Sequence, residues 1–167
     1  VRDLAIDHEG NVLVSGFFQG TADFDPGAGT ANLTSVGNRD IFMAKYNASG
    51  EYMWANGFGS SGFEDLAWVK PDDVGNVYLS GRFAGTIDFD PGPGTANLTA
   101  NSTDILVAKY APNGNYIWAH GIGGSATDFA HGIAVDHQQG VIIGGMFTNT
   151  VDFDPGVGTL ELSTTGS

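Results

Sequence analysis

The sequence predicts an all-β fold, blades of a β-propeller, with a four-stranded antiparallel meander in each repeat of about 64–65 residues. Three observations carry this expectation. Matched sequence blocks recur in one order and at one spacing, each repeat divides into short β-rich runs separated by Gly/Asn turns, and no segment shows helical periodicity. The string Asp-Phe-Asp-Pro-Gly begins at Asp23, Asp88 and Asp152, at intervals of 65 and 64 residues, and runs on each time to Thr30, Thr95 and Thr159. Upstream lies a second block, GNVLVSGFF from Gly10, GNVYLSGRF from Gly75 and QGVIIGGMF from Gln139. Downstream lies a third, starting at Asp40 and Asp104 and ending in Trp-Ala-x-Gly-x-Gly.

Taken in order, the first strand of a repeat is expected at Leu4–Asp7, with an equivalent at Ile133–Asp136. The turns His8-Glu9-Gly10-Asn11 and Asp73-Val74-Gly75-Asn76 lead into second strands at Val12–Phe18 and Val77–Phe83. Third strands follow at Ile41–Tyr46 and Ile105–Tyr110. The turns Asn47–Gly50 and Ala111–Gly114 then join them to fourth strands at Tyr52–Ala55 and Tyr116–Ala119. These are hairpin signals. The third strands, IFMAKY and ILVAKY, are nearly continuous apolar runs, the pattern of a strand covered on both faces. Stacked meanders satisfy it. A β-helix needs a much shorter coil period, and a sandwich needs more strands per unit.

On this division repeat one spans 1–65, repeat two 66–129 and a partial third 130–167. Propellers close with about four to eight blades, so the chain is expected to be a piece of a longer array. Alone, it should associate or be poorly stable, because its terminal faces lack partners.

Net charge is −13, from 19 acidic against 6 basic residues. Such a surface repels phosphate backbones and argues against nucleic acid as a partner. With no cysteine, neither a disulfide framework nor a thiolate metal site is available. No apolar run reaches the length of a membrane-spanning helix.

The order Ile-Ala-Val-Asp, Asn-Val-Tyr-Leu-Ser-Gly, Asp-Ile-x-x-Ala-Lys-Tyr and Gly-x-Tyr-x-Trp-Ala-x-Gly-x-Gly resembles the bacterial β-propeller repeats called SBBP, and more loosely the NHL repeats. The segment Gly85–Thr99 and its equivalents extend the short form of that family. The resemblance implies a propeller in a large exported protein, placed outside the cell or at its surface. Partners would then be protein or glycan ligands of the cell surface or matrix, and neighbouring repeats of the same parent chain or of other copies. It transfers no catalytic residues.

The Asp-Phe-Asp-Pro-Gly segments are the sharpest candidate site. Asp23 and Asp25 flank Phe24, so both carboxylates lie on one side and the ring on the other. The same holds for Asp88 and Asp90, and for Asp152 and Asp154. Paired carboxylates beside a Gly-rich loop suit a hard cation, and Ca²⁺ is the expected ion. The competing expectation is mechanical: Asp-Pro-Gly forms a turn in which the first Asp bonds backbone amides.

Asp7, Asp72 and Asp136 close first strands, and Asp40 and Asp104 precede third strands; their recurrence argues for capping of turn amides. Trp54 and Trp118 occupy equal positions and suit packing between blades, whereas Trp68 lacks a repeat partner and is a candidate for a specific contact. His8, His120, His131 and His137 do not recur in register and show no metal-binding spacing. Neither a Gly-x-Ser-x-Gly elbow nor a phosphate-binding loop is present. The sequons at Asn32, Asn47, Asn97 and Asn101 mark exposed loops at most.

A non-enzymatic scaffold, adhesive or ligand-binding module is therefore expected, with no catalytic or cofactor-binding residues. A hydrolase or lyase working in a propeller channel, and a subunit of a fibre or surface layer, are the alternatives. An enzyme should break repeat symmetry with clustered acids or histidines; here most acids stay in register.

Overall fold

The computed structural model describes residues 1–62 and 64–164, which form strands, turns and loops with no helix among them. Fourteen strands run in chain order. They are β1 (Asp3–Ile6), β2 (Val12–Phe18), β3 (Thr21–Asp23), β4 (Asn32–Thr34), β5 (Asp40–Tyr46), β6 (Tyr52–Phe58) and β7 (Asp65–Pro71). There follow β8 (Val77–Asp88), β9 (Asn97–Tyr110), β10 (Tyr116–Ile122), β11 (Phe129–Val135), β12 (Val141–Met146), β13 (Thr150–Asp152) and β14 (Glu161–Ser163).

Two complete four-stranded antiparallel meanders result, β1-β2-β5-β6 and β7-β8-β9-β10, followed by the pair β11-β12. The sheets are the expected blades. Their internal register is the same: Val12 faces Tyr46 and Phe18 faces Asp40 in one, Val77 faces Tyr110 and Phe83 faces Asp104 in the next. Fourth strands run three residues further than expected, to Phe58 and Ile122. The Gly-Phe and Gly-Ile steps beyond the Trp-Ala pair still find ladder partners on the third strands.

Each first-to-second-strand turn is built around an aspartate. Asp7 Oδ1 accepts the amides of Glu9 and Asn11, both at 2.9 Å, and Gly10 supplies a φ of 82°. Asp72 and Gly75 repeat the arrangement, and Asp136 does so with Gln139 at a φ of 65° in the glycine position. A side chain in that left-handed region is costly. Here Gln139 Oε1 accepts a hydrogen bond from Lys109 Nζ at 2.7 Å, which ties the third sheet to the second.

The third strands are buried almost throughout, as their continuous apolar run requires. Leu13, Ile41, Met43 and Phe58 of the first sheet pack on Val69, Leu79, Phe83 and Leu106 of the second. A smaller cluster of Tyr78, Val107 and Ile133 joins the second sheet to the third. Polar links cross the same junctions. Trp54 Nε1 donates to Pro112 O at 3.0 Å, Asn56 Nδ2 to Gly114 O at 2.8 Å, and Ser15 Oγ to Ala67 O at 2.9 Å.

Trp68, the candidate for a specific contact, makes its contacts within the chain. Its Nε1 donates to Ala130 O at 3.4 Å, and the Arg2 guanidinium lies 4.7 Å from the ring, so it bridges the sheets on either side. Trp54 packs between blades as expected.

Candidate functional site

After the second strand of every repeat the chain makes a hairpin. In the first and third repeats it is a separate pair, β3-β4 and β13-β14; in the second it continues β8 and β9 without a break. The Asp-Phe-Asp-Pro-Gly segment forms its tip. Phenylalanine alternates inward: Phe89 is fully buried against Phe58 and Phe83, and Phe24 packs on Phe18 and Phe42.

The first aspartate of each motif closes the hairpin. Asp23 Oδ1 accepts the amides of Asp25 at 3.0 Å and Ala31 at 2.8 Å. Asp88 Oδ1 does the same with Asp90 and Ala96, and Asp152 Oδ1 with Asp154 and Leu160. For Asp23 and Asp152 the long-range amide, from Ala31 or Leu160, is the main influence holding the carboxyl below its ordinary range, and the amide two residues on adds to it.

The second aspartate is wrapped by the loop. Asp25 Oδ1 accepts the Gly27 amide at 2.7 Å, and a Cβ at Gly29 would stand 2.1 Å from Oδ2. Asp90 with Gly92 and Gly94, and Asp154 with Gly156 and Gly158, repeat this geometry. The two glycines of Gly-x-Gly are therefore fixed by one carboxylate: the first donates to it and the second gives it room. Gly29→Ala should force Asp25 outward, release the Gly27 amide to solvent and cost about 0.5–1.5 kcal/mol. A lowered unfolding midpoint checks this, with Gly132→Ala as control, since nothing lies within 4 Å of the added Cβ there.

In each hairpin the structure gives one oxygen of each of the two predicted aspartates to backbone amides. Among the described residues no group of three or more His, Cys, Asp or Glu side chains converges to hold a metal ion.

A second acidic arrangement escaped the sequence reading. Glu64 and Asp128, 64 residues apart, are both fully buried at the entry to the next sheet. Glu64 Oε1 accepts from Ser60 Oγ at 2.6 Å, and Asp128 accepts the amides of Gly124 and Thr148. Their neighbours are Asp40 and Asp104. Asp40 accepts the amides of Val36 and Gly37, which is the capping role expected of it. Asp104 departs from its counterpart: its Oδ1 is buried without a hydrogen-bond partner among the described residues. Burial first, and the nearby Asp128 carboxylate second, push Asp104 up to about 6. Burial likewise raises Glu64, with Asp40 adding to it. The Gly-rich strings before these acids, GFGSSG and GIGGSA, pass directly over Asp40 and Asp104: a Cβ at Gly59 would lie 2.0 Å from Asp40 Cγ, and one at Gly123 2.4 Å from Asp104 Cγ.

The first and third strands are also tied by charge. Lys45 Nζ lies 2.8 Å from Asp7 Oδ2, both side chains nearly inaccessible, and Lys109 lies 3.9 Å from Asp72 Oδ2. The Lys of Ala-Lys-Tyr facing the Asp that closes the first strand was legible as a repeated pair, but only the strand order places them together. The histidines stay apart in role: His137 pairs with Asp73 in solvent, His120 stacks on Trp118, and His131 meets Phe129 edge-on.

No family model matches the chain. It is 27% identical over 154 residues to an uncharacterised WD repeat-containing protein of Acanthamoeba polyphaga mimivirus. The likeness takes in 86% of this chain but only 11% of that protein. The chain thus spans about a tenth of its relative's length. The likeness and the meander sheets agree on a propeller-type repeat scaffold.

Proposed function

We propose that the chain is a non-enzymatic scaffold segment of a secreted or cell-surface protein, which holds out its three acidic hairpins as a surface for a protein or glycan ligand. One observation carries the reading: the acids that recur in register are spent on turns, caps and strand pairing. Asp7, Asp23, Asp25 and Asp40 each accept backbone amides, and their equivalents repeat the pattern, except that Asp104 leaves Oδ1 without a partner among the described residues. The hairpin tips combine that internal order with an exposed, negatively charged outer edge, as recognition of a partner at a fixed spacing requires.

The test immobilises the chain and presents surface glycans and matrix proteins. Retention without release of reducing ends, unsaturated sugars or peptides supports the scaffold. Multiple-turnover release of such products would assign the channel hydrolase or lyase instead. Calcium is tested separately by melting in millimolar calcium and in chelator. Since Oδ1 of both aspartates in each hairpin already serves the backbone, an unchanged midpoint is expected; a rise saturating with calcium would show that the ion binds the folded chain.

A further inference from the structure

The third hairpin hangs on a buried pair of acids. The chain enters each hairpin through one left-handed residue, Gly20 (φ 70°), Gly85 (φ 65°) and Asn149 (φ 64°). Just before Asn149, the Thr148 amide donates to Asp128 Oδ1 at 2.8 Å, and the Gly124 amide donates to Oδ2 at 2.9 Å. Gly124 also packs on the hairpin's first residue: a Cβ there would stand 2.3 Å from the Thr150 carbonyl oxygen. The base of β13-β14 therefore rests on one carboxylate and the loop that carries it. At the second hairpin the corresponding contact is neutral, with Ser60 Oγ 3.1 Å from the Ala84 carbonyl oxygen while it serves Glu64.

Three differences between the two junctions remove donors from this pair of acids and keep its charge. Gly124 stands in the place of Ser60, so the hydroxyl that serves Glu64 is gone. Asp128 stands in the place of Glu64 and is one methylene shorter. Asp40 follows Thr34 by six residues whereas Asp104 follows Thr99 by five, which shortens the stretch whose Val36 and Gly37 amides cap Asp40. Asp104 is left 6% exposed, with Oδ1 unpartnered among the described residues. On the neighbouring elements, Arg82 of β8 is turned to Asp65 and the Phe129 ring, and His131 of β11 meets that same ring. Asp128 is the charge that bears on Asp104, and two like charges so placed ionise together only at a cost.

We propose that Asp104 and Asp128 form a proton-controlled latch on the third hairpin, closed while the pair holds one proton and loosened when both are ionised. With Asp104 protonated, Asp128 keeps its charge for the amides of Gly124 and Thr148. With both ionised, the repulsion is relieved by parting the loop from the hairpin base and admitting water. Val151, fully buried, and the Phe147–Phe153 ring contact keep the apolar side of the hairpin seated, so the base loosens without the hairpin unfolding. Burial and the Asp128 charge hold Asp104 at about 6 in the closed state, against 3.8 in solvent. Opening therefore releases a proton; it becomes easier as pH rises from about 4 to about 6 and then levels off. The second hairpin, beside an Asp40 capped on both oxygens, stays fixed. The inference rests on the scaffold reading and names a control on one of its ligand-presenting hairpins.

Amide hydrogen exchange of the 167-residue chain, corrected for the intrinsic pH dependence of exchange, reads each hairpin separately. Protection over residues 148–164 should fall about fivefold from about pH 5 to about pH 7, while residues 84–99 of the second hairpin change by less than about twofold. In the D104N chain the third hairpin should keep its protection at both pH values. If D104N fails to fold, the contrast between the two hairpins in the wild type decides alone. Equal responses of the two hairpins, an unchanged third hairpin, or a fall that persists in D104N would each overturn the proposal. A response of the third hairpin with no ligand retained by the immobilised chain would uphold the latch and remove the reading it rests on. Ligand retention without that response would remove the latch and leave the scaffold reading in place.

Discussion

Lys45→Met should destabilise the chain by about 3–5 kcal/mol at neutral pH, because it leaves a buried carboxylate with no counter-charge. Lys45 is 2% exposed and Asp7 6%, so water cannot take over the lost interaction. Burial alone would raise Asp7, but hydrogen bonds from the Lys45 side chain and from Asn11, with the Lys45 charge, outweigh it and hold the carboxyl at about 2. The sign of the pH dependence follows. With its folded value below the ordinary 3.8, Asp7 contributes stability that is full above that value and lost as pH falls through about 2. The gap between wild type and variant should therefore be widest near neutrality and close toward pH 2, as denaturant unfolding across that range would show. Lys109→Met should cost less, about 1.5–3 kcal/mol, since Lys109 stands farther from Asp72 and divides its bonding with Gln139. Equal losses at the two lysines would contradict the difference in geometry.

Asp104→Asn should do the opposite and stabilise the chain. The native carboxylate is buried, one oxygen has no partner, and Asp128 faces it with a like charge. Asn keeps the shape that Gly123 packs over while removing the charge, so a gain of about 1–3 kcal/mol is expected above pH 7. Here the folded value, about 6, lies above the unfolded 3.8. The wild type therefore recovers stability as pH falls from about 6 toward 4, and the advantage of the variant should fade over that window. Asp40→Asn is the contrast. Asp40 caps the amides of Val36 and Gly37, and neutralising it should weaken those bonds and destabilise. Stabilisation by both substitutions would show that the two positions are not distinguished as the hydrogen bonds indicate.

The meander was legible because turn chemistry and strand pattern agreed in each repeat. Asp7-x-x-Gly10 and Asn47-x-x-Gly50 name their turns, and the apolar runs from Ile41 and Ile105 name the covered strands. The hairpin tips were legible as turns for the same reason. What stayed hidden depends on contacts across the chain. Trp68 has no repeat partner in the sequence, yet it stacks between Arg2 and the third sheet, a relation only the packing of successive sheets creates. Glu64 and Asp128 sit in polar, Gly-rich strings that read as solvent loops; they are buried because the loop folds back over the start of the third strand. A 64-residue recurrence of acids was the available signal, and it points to position without telling burial.

The shared register has a consequence for how such a gene can change. The first blade offers Trp54 and Asn56 to the turn Ala111–Gly114 of the second, and Trp118 stands at the Trp54 position of the second blade, so that unit carries the residues of both ends of the joint. Unequal crossing-over that inserts or deletes one repeat length joins surfaces that already fit, and the reading frame of contacts survives with the reading frame of codons. Each junction would survive such a change, and closure of the ring at about four to eight blades is what limits copy number.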